Sequence, residues 1–473
     1  MMGKYETMNT TLKRRKEKRA SRSLRITKKN GHGRYKGGSV IAAGSYGCVF
    51  RPSLRCKGDK DAKSTSSYKL VSKLGKKSVI DAEYKMMMKL KRILESIPNY
   101  DKYFGLDVSE PCEPAPLNKE DLEHFDDKCK IKDMSKGNIN NSDVKSTLSF
   151  MDLPYGGVSL LKWIWDGKLK KQSSFLDFIH KSSSLIRYGI VPMNIKGVLH
   201  NDIHARNILT KLVKEEEGEE EDISHLSLID WGLATTNTAT TLKNITVQRD
   251  YPITRIFFVE KIKQPFSRFL QMNLKLNNVK EYSFSKASPK EKKEMYSLLL
   301  KMSFELILLS QKDERSKIVH SCRQCDTIFK EILKRNKMYK ETYLPFLLNY
   351  AVNNKNAYLD GTFIYEVGTT FTTYINTIYL TEMMHKYIEI KDSGIFFNFR
   401  KYFTEIYRFN ADLYAMSNCI LLAASKRFEQ DSDGDAVTLE RYSELSELLL
   451  NEVFLKSTEK IDFKKVCDAL DIM

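Results

Sequence analysis

The sequence predicts an α+β chain, with antiparallel strands gathered near the N-terminus and helices dominating the remainder. Three observations carry this. Ser39 to Phe50 reads as strand, turn, strand, with Gly44 and Gly47 in the turn and Val49 opening the return strand. Ser67 to Leu74 and Ser146 to Asp152 are further extended, largely apolar runs. From Ser159 onward, apolar residues recur at helical spacing in one stretch after another. A hydrophobic content of 41% over 473 residues supports a substantial core.

The net charge of +18 is unevenly spread. Residues 1–40 hold 13 lysines and arginines against Glu6 and Glu17, so +11 of the excess sits in a basic arm. Residues 1–37 are polar and non-periodic and are expected to be disordered. A solubilising tail, nuclear targeting, and binding to nucleic acid or an acidic partner are all compatible with that composition. The eight cysteines fall at irregular spacings that do not look like a disulfide framework, which favours a reducing compartment. The charged N-terminus lacks a signal-peptide pattern, and the most apolar run, Met295 to Ser310, is interrupted by Lys301 and Glu305. No membrane span is expected, and the chain reads as soluble and intracellular.

Glycines in the first turn would let backbone N–H groups approach phosphate oxygens closely. The next strand offers Lys69 and Lys73 as phosphate ligands. Lys73, late in the strand after Leu70-Val71, is the favoured one. An amphipathic helix over Asp81 to Leu90 comes next, with Glu83 near its start. Residues 98–146 resist assignment, and Cys112 and Cys129 have no metal-ligand spacing. Leu153 to Gly157 breaks the following strand ahead of a helix over Ser159 to Ile164, as a linker whose backbone could meet an adenine edge. A helix over Ser173 to Ile190 leads into the two stretches on which the functional reading rests.

In Gly197-Val-Leu-His-Asn-Asp-Ile-His-Ala-Arg-Asn-Ile-Leu209, an acid (Asp202) precedes an amide (Asn207) by five residues. In Leu228-Ile-Asp-Trp-Gly232, Asp230 leaves a strand (Leu226 to Ile229) and meets a turn. This two-part layout places magnesium and a hydroxyl nucleophile around a nucleoside triphosphate. Between the two stretches lies an acidic loop, Lys214 to Asp222. Beyond them, Thr235 to Thr241 looks flexible. Helical patterns recur at Lys293 to Ser310, Thr342 to Val352, Asp412 to Leu422, Thr438 to Phe454 and Asp462 to Leu470. Cys322-Arg-Gln-Cys325, with His320 before it, is a lone CxxC and reads as structural rather than metal-binding.

Taken in order, these motifs resemble a eukaryotic-type protein kinase. More narrowly, Gly44-Ser-Tyr-Gly-Cys-Val-Phe-Arg-Pro52, Val71-Ser-Lys-Leu74, Val247-Gln-Arg-Asp-Tyr-Pro-Ile-Thr254 and Asn410-Ala-Asp-Leu-Tyr-Ala-Met416 resemble the divergent serine/threonine kinases of large nucleocytoplasmic DNA viruses. The resemblance implies a two-lobe fold: a small antiparallel-sheet N-lobe over 38–152, then a large helical C-lobe over 153–473 with inserted helices at about 245–400. It implies ATP as phosphoryl donor, with Mg2+ or alternatively Mn2+, and protein substrates. Ala42, Gly44, Ser45, Gly47 and Val49 would line the phosphate loop. Lys73 would hold the phosphates, with Glu83 as its ion-pair partner. Met151 matches the gatekeeper, and Asp152 and Leu153 the adenine-contacting hinge. Asp202 would orient the substrate hydroxyl, Asn207 and Asp230 would hold the metal, and Asp412 would brace the catalytic loop. A viral kinase would work in the host cytoplasm, with virion or nuclear association as alternatives.

The departures from the family pattern matter too. Ala42 replaces the first loop glycine, and Trp231 the usual Phe. Asn201 replaces the Arg that clamps a phosphorylated activation loop, so independence from that switch is expected. His204 stands where a Lys is usual, and Arg206 is expected to supply the missing positive charge. No Ala-Pro-Glu comes after Asp230. A small-molecule kinase of the choline-kinase or aminoglycoside-phosphotransferase type, and a nucleotide-binding pseudokinase, remain as alternatives.

Overall fold

The structure, a computed structural model, describes residues 38–44, 47–59, 69–129, 131, 134–213, 222–236, 250–252, 268–275, 277–312, 331–353, 370–430 and 436–473. The basic arm, Ser45, the acidic run 214–221, Asn237 to Thr241, and Cys322 and Cys325 with His320 lie outside the described residues.

The fold mixes helices with antiparallel sheets. Four strands, β1 (Ser39–Gly44), β2 (Gly47–Arg51), β3 (Leu70–Lys76) and β4 (Leu148–Pro154), pair antiparallel in sequence order. Helix α1 (Lys77–Leu94) follows β3 directly and is longer than its periodicity suggested. It buries Ile80, Glu83, Met87, Leu90 and Leu94, a 3–4 spacing that keeps one stripe inward, and it ends on Lys91 and Arg92 where the helix dipole favours cations. One sheet face, with Val40, Cys48, Phe50, Leu74, Leu148 and Phe150, closes over a small core completed by Leu117, Leu122 and Phe125. Met151, on the opposite face of β4, joins a second and much larger core that includes the buried stripe of α1.

The stretch 98–146, opaque in sequence, supplies the lid of the small core. Two disulfides fasten it there, Cys48–Cys129 and Cys56–Cys112. The expectation that the cysteines form no disulfide framework is therefore overturned for four of the eight. Their partners are chosen by the way a loop folds back over the sheet, 81 and 56 residues apart, and linear spacing carries no trace of that. Cys112 also forms a bridge with Phe150, so this loop adds a short edge to β4.

After β4, Gly157 is required by close approach: at φ +104°, a Cβ there would lie 2.1 Å from the Thr210 carbonyl oxygen. Strand β5 (Val158–Ser159) then joins a three-stranded sheet with β7 (Ile208–Val213) and β8 (Asp222–Leu228). The Ser159 hydroxyl caps α2 (Leu160–Trp165). Helix α3 (Gln172–Leu185) continues through a π-helical turn (Ile186–Ile190) into Val191–Ile195. Strand β6 (Val198–Leu199) pairs with β9 (Thr235–Thr236), so the first two residues of the stretch expected to be flexible are ordered by a ladder.

Further on, β10 (Tyr282–Ser283), β11 (Ile388–Lys391) and β12 (Gly394–Phe397) make a small sheet that the sequence did not announce. Helices α4 (Pro289–Lys312), α5 (Leu344–Asn353), α6 (Phe371–Tyr387), α7 (Arg408–Gln430), α8 (Ala436–Leu449) and α9 (Phe463–Ile472) belong to this part of the chain, with α4 packed on α6, α7 on α8 and α3, and α9 on α3. Among the described residues, no helix is long and apolar enough to cross a membrane.

Candidate active site

Strand register builds one row across the first sheet. Ala42 faces Val49, Val49 faces Lys73, and Lys73 faces Met151. Alternation along each strand turns the neighbours Cys48, Leu74 and Phe150 into the small core and leaves this row on the opposite face. Gly47, paired with Gly44 at the end of the hairpin, allows β2 to press on β3: a Cβ there would meet the Leu74 carbonyl oxygen at 2.6 Å.

Lys73 occupies the centre of the row. Its Nζ lies 2.6 Å from Glu83 Oε1, on α1, and 3.2 Å from Asp230 Oδ1, a residue 157 positions away. Burial works against the ammonium, but the charges of Asp230 and Glu83 outweigh it and hold the Lys73 pKa above its ordinary value. Burial also works against the Asp230 carboxylate, and there Lys73 prevails and holds the pKa low. Burial lifts Glu83, with Lys73 opposing.

The second half of the site is the loop between β6 and β7. Asn207 Nδ2 donates to the Asp202 carboxylate at 2.9 Å and to its carbonyl at 3.0 Å. The Asn207 carbonyl accepts from Ile229 N at 3.0 Å, as the β7–β8 ladder continues past Ile208 and Leu228, so Asn207 stands one residue from Asp230 across the hairpin. Asp230 itself has φ +65° at the strand-to-turn exit. Trp231 fixes that turn by packing against His200 (ring centroids 4.5 Å) and Phe104 (5.8 Å). His200 is wholly buried, which lowers its pKa, and its ring bridges Ile229 O (3.1 Å) and Asp202 N (3.3 Å). A neutral imidazole with Nε2–H satisfies both.

Beneath the loop, Asp412 on α7 is wholly buried and accepts four hydrogen bonds. The donors are His200 N (2.9 Å), Asn201 N (3.1 Å), Asn194 Nδ2 (2.9 Å) and Tyr251 OH (2.9 Å). Tyr251 OH in turn accepts from Ile203 N at 2.8 Å. Sequence reading singled out Asp412 but missed Asn194 and Tyr251. Tyr251 lies inside the motif from Val247 to Thr254, yet nothing in its neighbours announces a hydroxyl aimed at a backbone amide.

Three expected residues are placed elsewhere. The Asp152 carboxylate faces away from the Lys73 row and accepts from the Ser72 hydroxyl. Its backbone N–H donates to Ser109 Oγ and its carbonyl accepts from Ser109 N, so the loop edge added to β4 takes the groups a hinge would offer to adenine. Leu153 pairs with Val71, and Tyr155 N donates to the Lys69 carbonyl, so the ladder runs on past β4. Arg206 is exposed, and the structure sets His204 beside Asp202 instead, with Nε2 3.7 Å from Oδ1. Arg206 N donates to His204 Nδ1 at 3.2 Å, which orients the ring. The i+2 side chain turns back toward the acid, whereas the i+4 side chain leaves the loop toward solvent.

No family model matches the chain. No curated protein matches it either. Among solved structures, the chain is similar to the crystal structure of the PF14_0431 kinase domain at 15% identity and a TM-score of 0.30, over 47% of this chain and 58% of that one.

Proposed function

We propose that the chain is an ATP-dependent protein kinase of two lobes, 38–152 and 153–473 with an insertion at about 245–400, that phosphorylates Ser and Thr hydroxyls on proteins. The observation that carries this is the Lys73 ammonium, held between Glu83 on α1 and Asp230 on the far side of the cleft. A cation so placed, on the open face of a glycine hairpin, suits a polyphosphate. The motif resemblance to serine/threonine kinases of large DNA viruses narrows the acceptor to protein hydroxyls.

Asn207 and Asp230 fit a divalent ion of the Mg2+ or Mn2+ type. Asn207 Nδ2 is committed to Asp202, so Oδ1 is the atom that remains for a cation. With the Asp230 carboxylate it makes an all-oxygen donor pair, which suits a hard ion. Waters and substrate phosphates would complete the coordination of an ion held by so few protein ligands. Such an ion would neutralise charge on the transferring phosphoryl group. Asp202, its carboxylate oriented by Asn207, accepts or directs the proton of the attacking hydroxyl, with the His204 ring alongside. Lys73 holds the donor phosphates, and Glu83 holds Lys73.

The test is transfer of labelled γ-phosphate to a mixed protein extract, with phosphosite mapping. Wild type should label Ser and Thr, and Asp202→Asn and Lys73→Met should each lose at least about 100-fold. Full activity in either variant, or labelling of metabolites with no protein labelled, overturns the proposal.

A further inference from the structure

Asn201 and the two threonines after the Asp230 turn carry an inference about regulation, which rests on the kinase reading. Asn201 is wholly buried, with φ +61°, a conformation Asn tolerates better than most residues. Its backbone N–H is tied to Asp412. Its Nδ2 donates to Thr235 Oγ1 at 2.9 Å and to the Leu233 carbonyl at 3.4 Å. Thr236 faces the other way: its Oγ1 accepts from Lys89 Nζ at 2.8 Å, and Lys89 lies on α1, the helix that carries Glu83. Two adjacent hydroxyls thus join one short strand to the Asp202 loop on one side and to α1 on the other. The β6–β9 ladder, pairing Leu199 with Thr235 and Val198 with Thr236, holds both in register.

We propose that the Asn201–Thr235 hydrogen bond is a charge-neutral clamp that sets the segment after Asp230 in its working position without phosphorylation. Asn201 and Thr235 are positioning residues; they act through Asp230 and Asp202. An amide donor at a buried site is matched by a hydroxyl or a carbonyl, and it has both here. A phosphate on Thr235 would instead add negative charge beside a loop that carries Asp202 and rests on the Asp412 carboxylate of α7, with an uncharged amide facing it.

The test uses the full chain, with and without phosphatase treatment, and compares Thr235→Val, Thr235→Ser, Asn201→Gly and the Val/Gly double variant. Asn201→Gly keeps the positive φ and removes only the amide. The expected result is a fall in kcat of roughly 3- to 10-fold for Thr235→Val and for Asn201→Gly, with the KM for ATP little changed. The double variant should be no worse than either single, because both remove the same bond. Thr235→Ser should recover most of the loss, and phosphatase should leave wild-type kcat unaltered. Additive losses, no rescue by Ser, or inactivation by phosphatase overturns the clamp. If wild type shows no turnover at all, the kinase reading fails, and amide hydrogen exchange over residues 230–236 then decides on the clamp. Faster exchange in the Val and Gly variants but not in Ser upholds it, and equal rates in all overturn it.

Discussion

His204 and Arg206 are two residues apart, yet only one of them turns toward Asp202. With the His204 ring 3.7 Å from the carboxylate and Arg206 exposed, His204→Ala should lower turnover by roughly 10-fold and Arg206→Ala by less than about 2-fold. Steady-state kinetics on both variants checks this, and a larger loss from Arg206→Ala would return that residue to the site. Lys73 gives a second, pH-dependent expectation. Its pKa is raised, so its contribution to stability is complete below the ordinary lysine value and is lost only as pH rises through the raised one. Asp230 is depressed, so its contribution is complete above the ordinary aspartate value and is lost only as pH falls through the depressed one. Glu83 is the opposite case: burial lifts its pKa, so it is the first of the two carboxyls to take up a proton as pH falls, and that protonation relieves a buried charge instead of costing stability. Lys73→Met leaves the Glu83 and Asp230 carboxylates without their counter-charge, so it should cost about 2–4 kcal/mol in urea unfolding at neutral pH, and that difference should narrow as pH falls and the lifted Glu83 takes up its proton. A difference that failed to narrow on acidification would contradict the charge assignment. The Asp202–Asn207 spacing and the Asp230 turn could be read from sequence because their chemistry is local to a few residues. The choice of His204 over Arg206 could not, because it depends on which way a loop side chain leaves the backbone.

At the scale of elements, legibility followed the range of the pairing. The glycine hairpin, α1, β4 and α7 carry their patterns within one window, and each was located to within several residues. Helix α6 was missed because Tyr374, Ile375, Ile378, Tyr379, Leu380, Met383 and Met384 are all nearly or wholly buried, so it has no polar face to give a 3.6-residue period. The small sheet was missed because Tyr282–Ser283 is two residues long and finds Glu389 and Ile390 more than a hundred positions later. The disulfides belong to the same class of long-range pairing, and they make a direct prediction. Digestion without reductant should yield one linked peptide pair containing Cys48 and Cys129 and another containing Cys56 and Cys112. Closing loops of this length typically stabilises by about 2–4 kcal/mol each, so reductant should lower the unfolding midpoint of the intact chain. Free thiols at all four positions in protein purified without reductant would refute the pairing.

Over the whole molecule, the strands bearing Lys73 divide a small core from a large one, and the site lies on the large-core side. What joins distant stretches of chain there is Asp412. It collects donors from the helical turn Val191–Ile195 (Asn194), from the loop after β6 (His200, Asn201) and from Tyr251, all more than 160 residues before it in sequence. Two of these are backbone amides just before Asp202, so the carboxylate holds the position of Asp202 as well as the packing of α7 against the loop. Replacing it with Ala would leave four donors in a space with no access to water. Each would bear a desolvation cost, so Asp412→Ala should destabilise by about 3–5 kcal/mol. Asp412→Asn keeps the volume but offers one acceptor oxygen in place of two, and its NH2 would face one of the two backbone amides whichever way it is turned. It should cost less in stability than Ala and still lower kcat strongly, because the loop amides lose their shared anchor. Urea unfolding combined with phosphate-transfer kinetics separates the two effects. If Asp412→Asn were stable and fully active, the loop would be held by the β6–β9 and β7–β8 ladders alone.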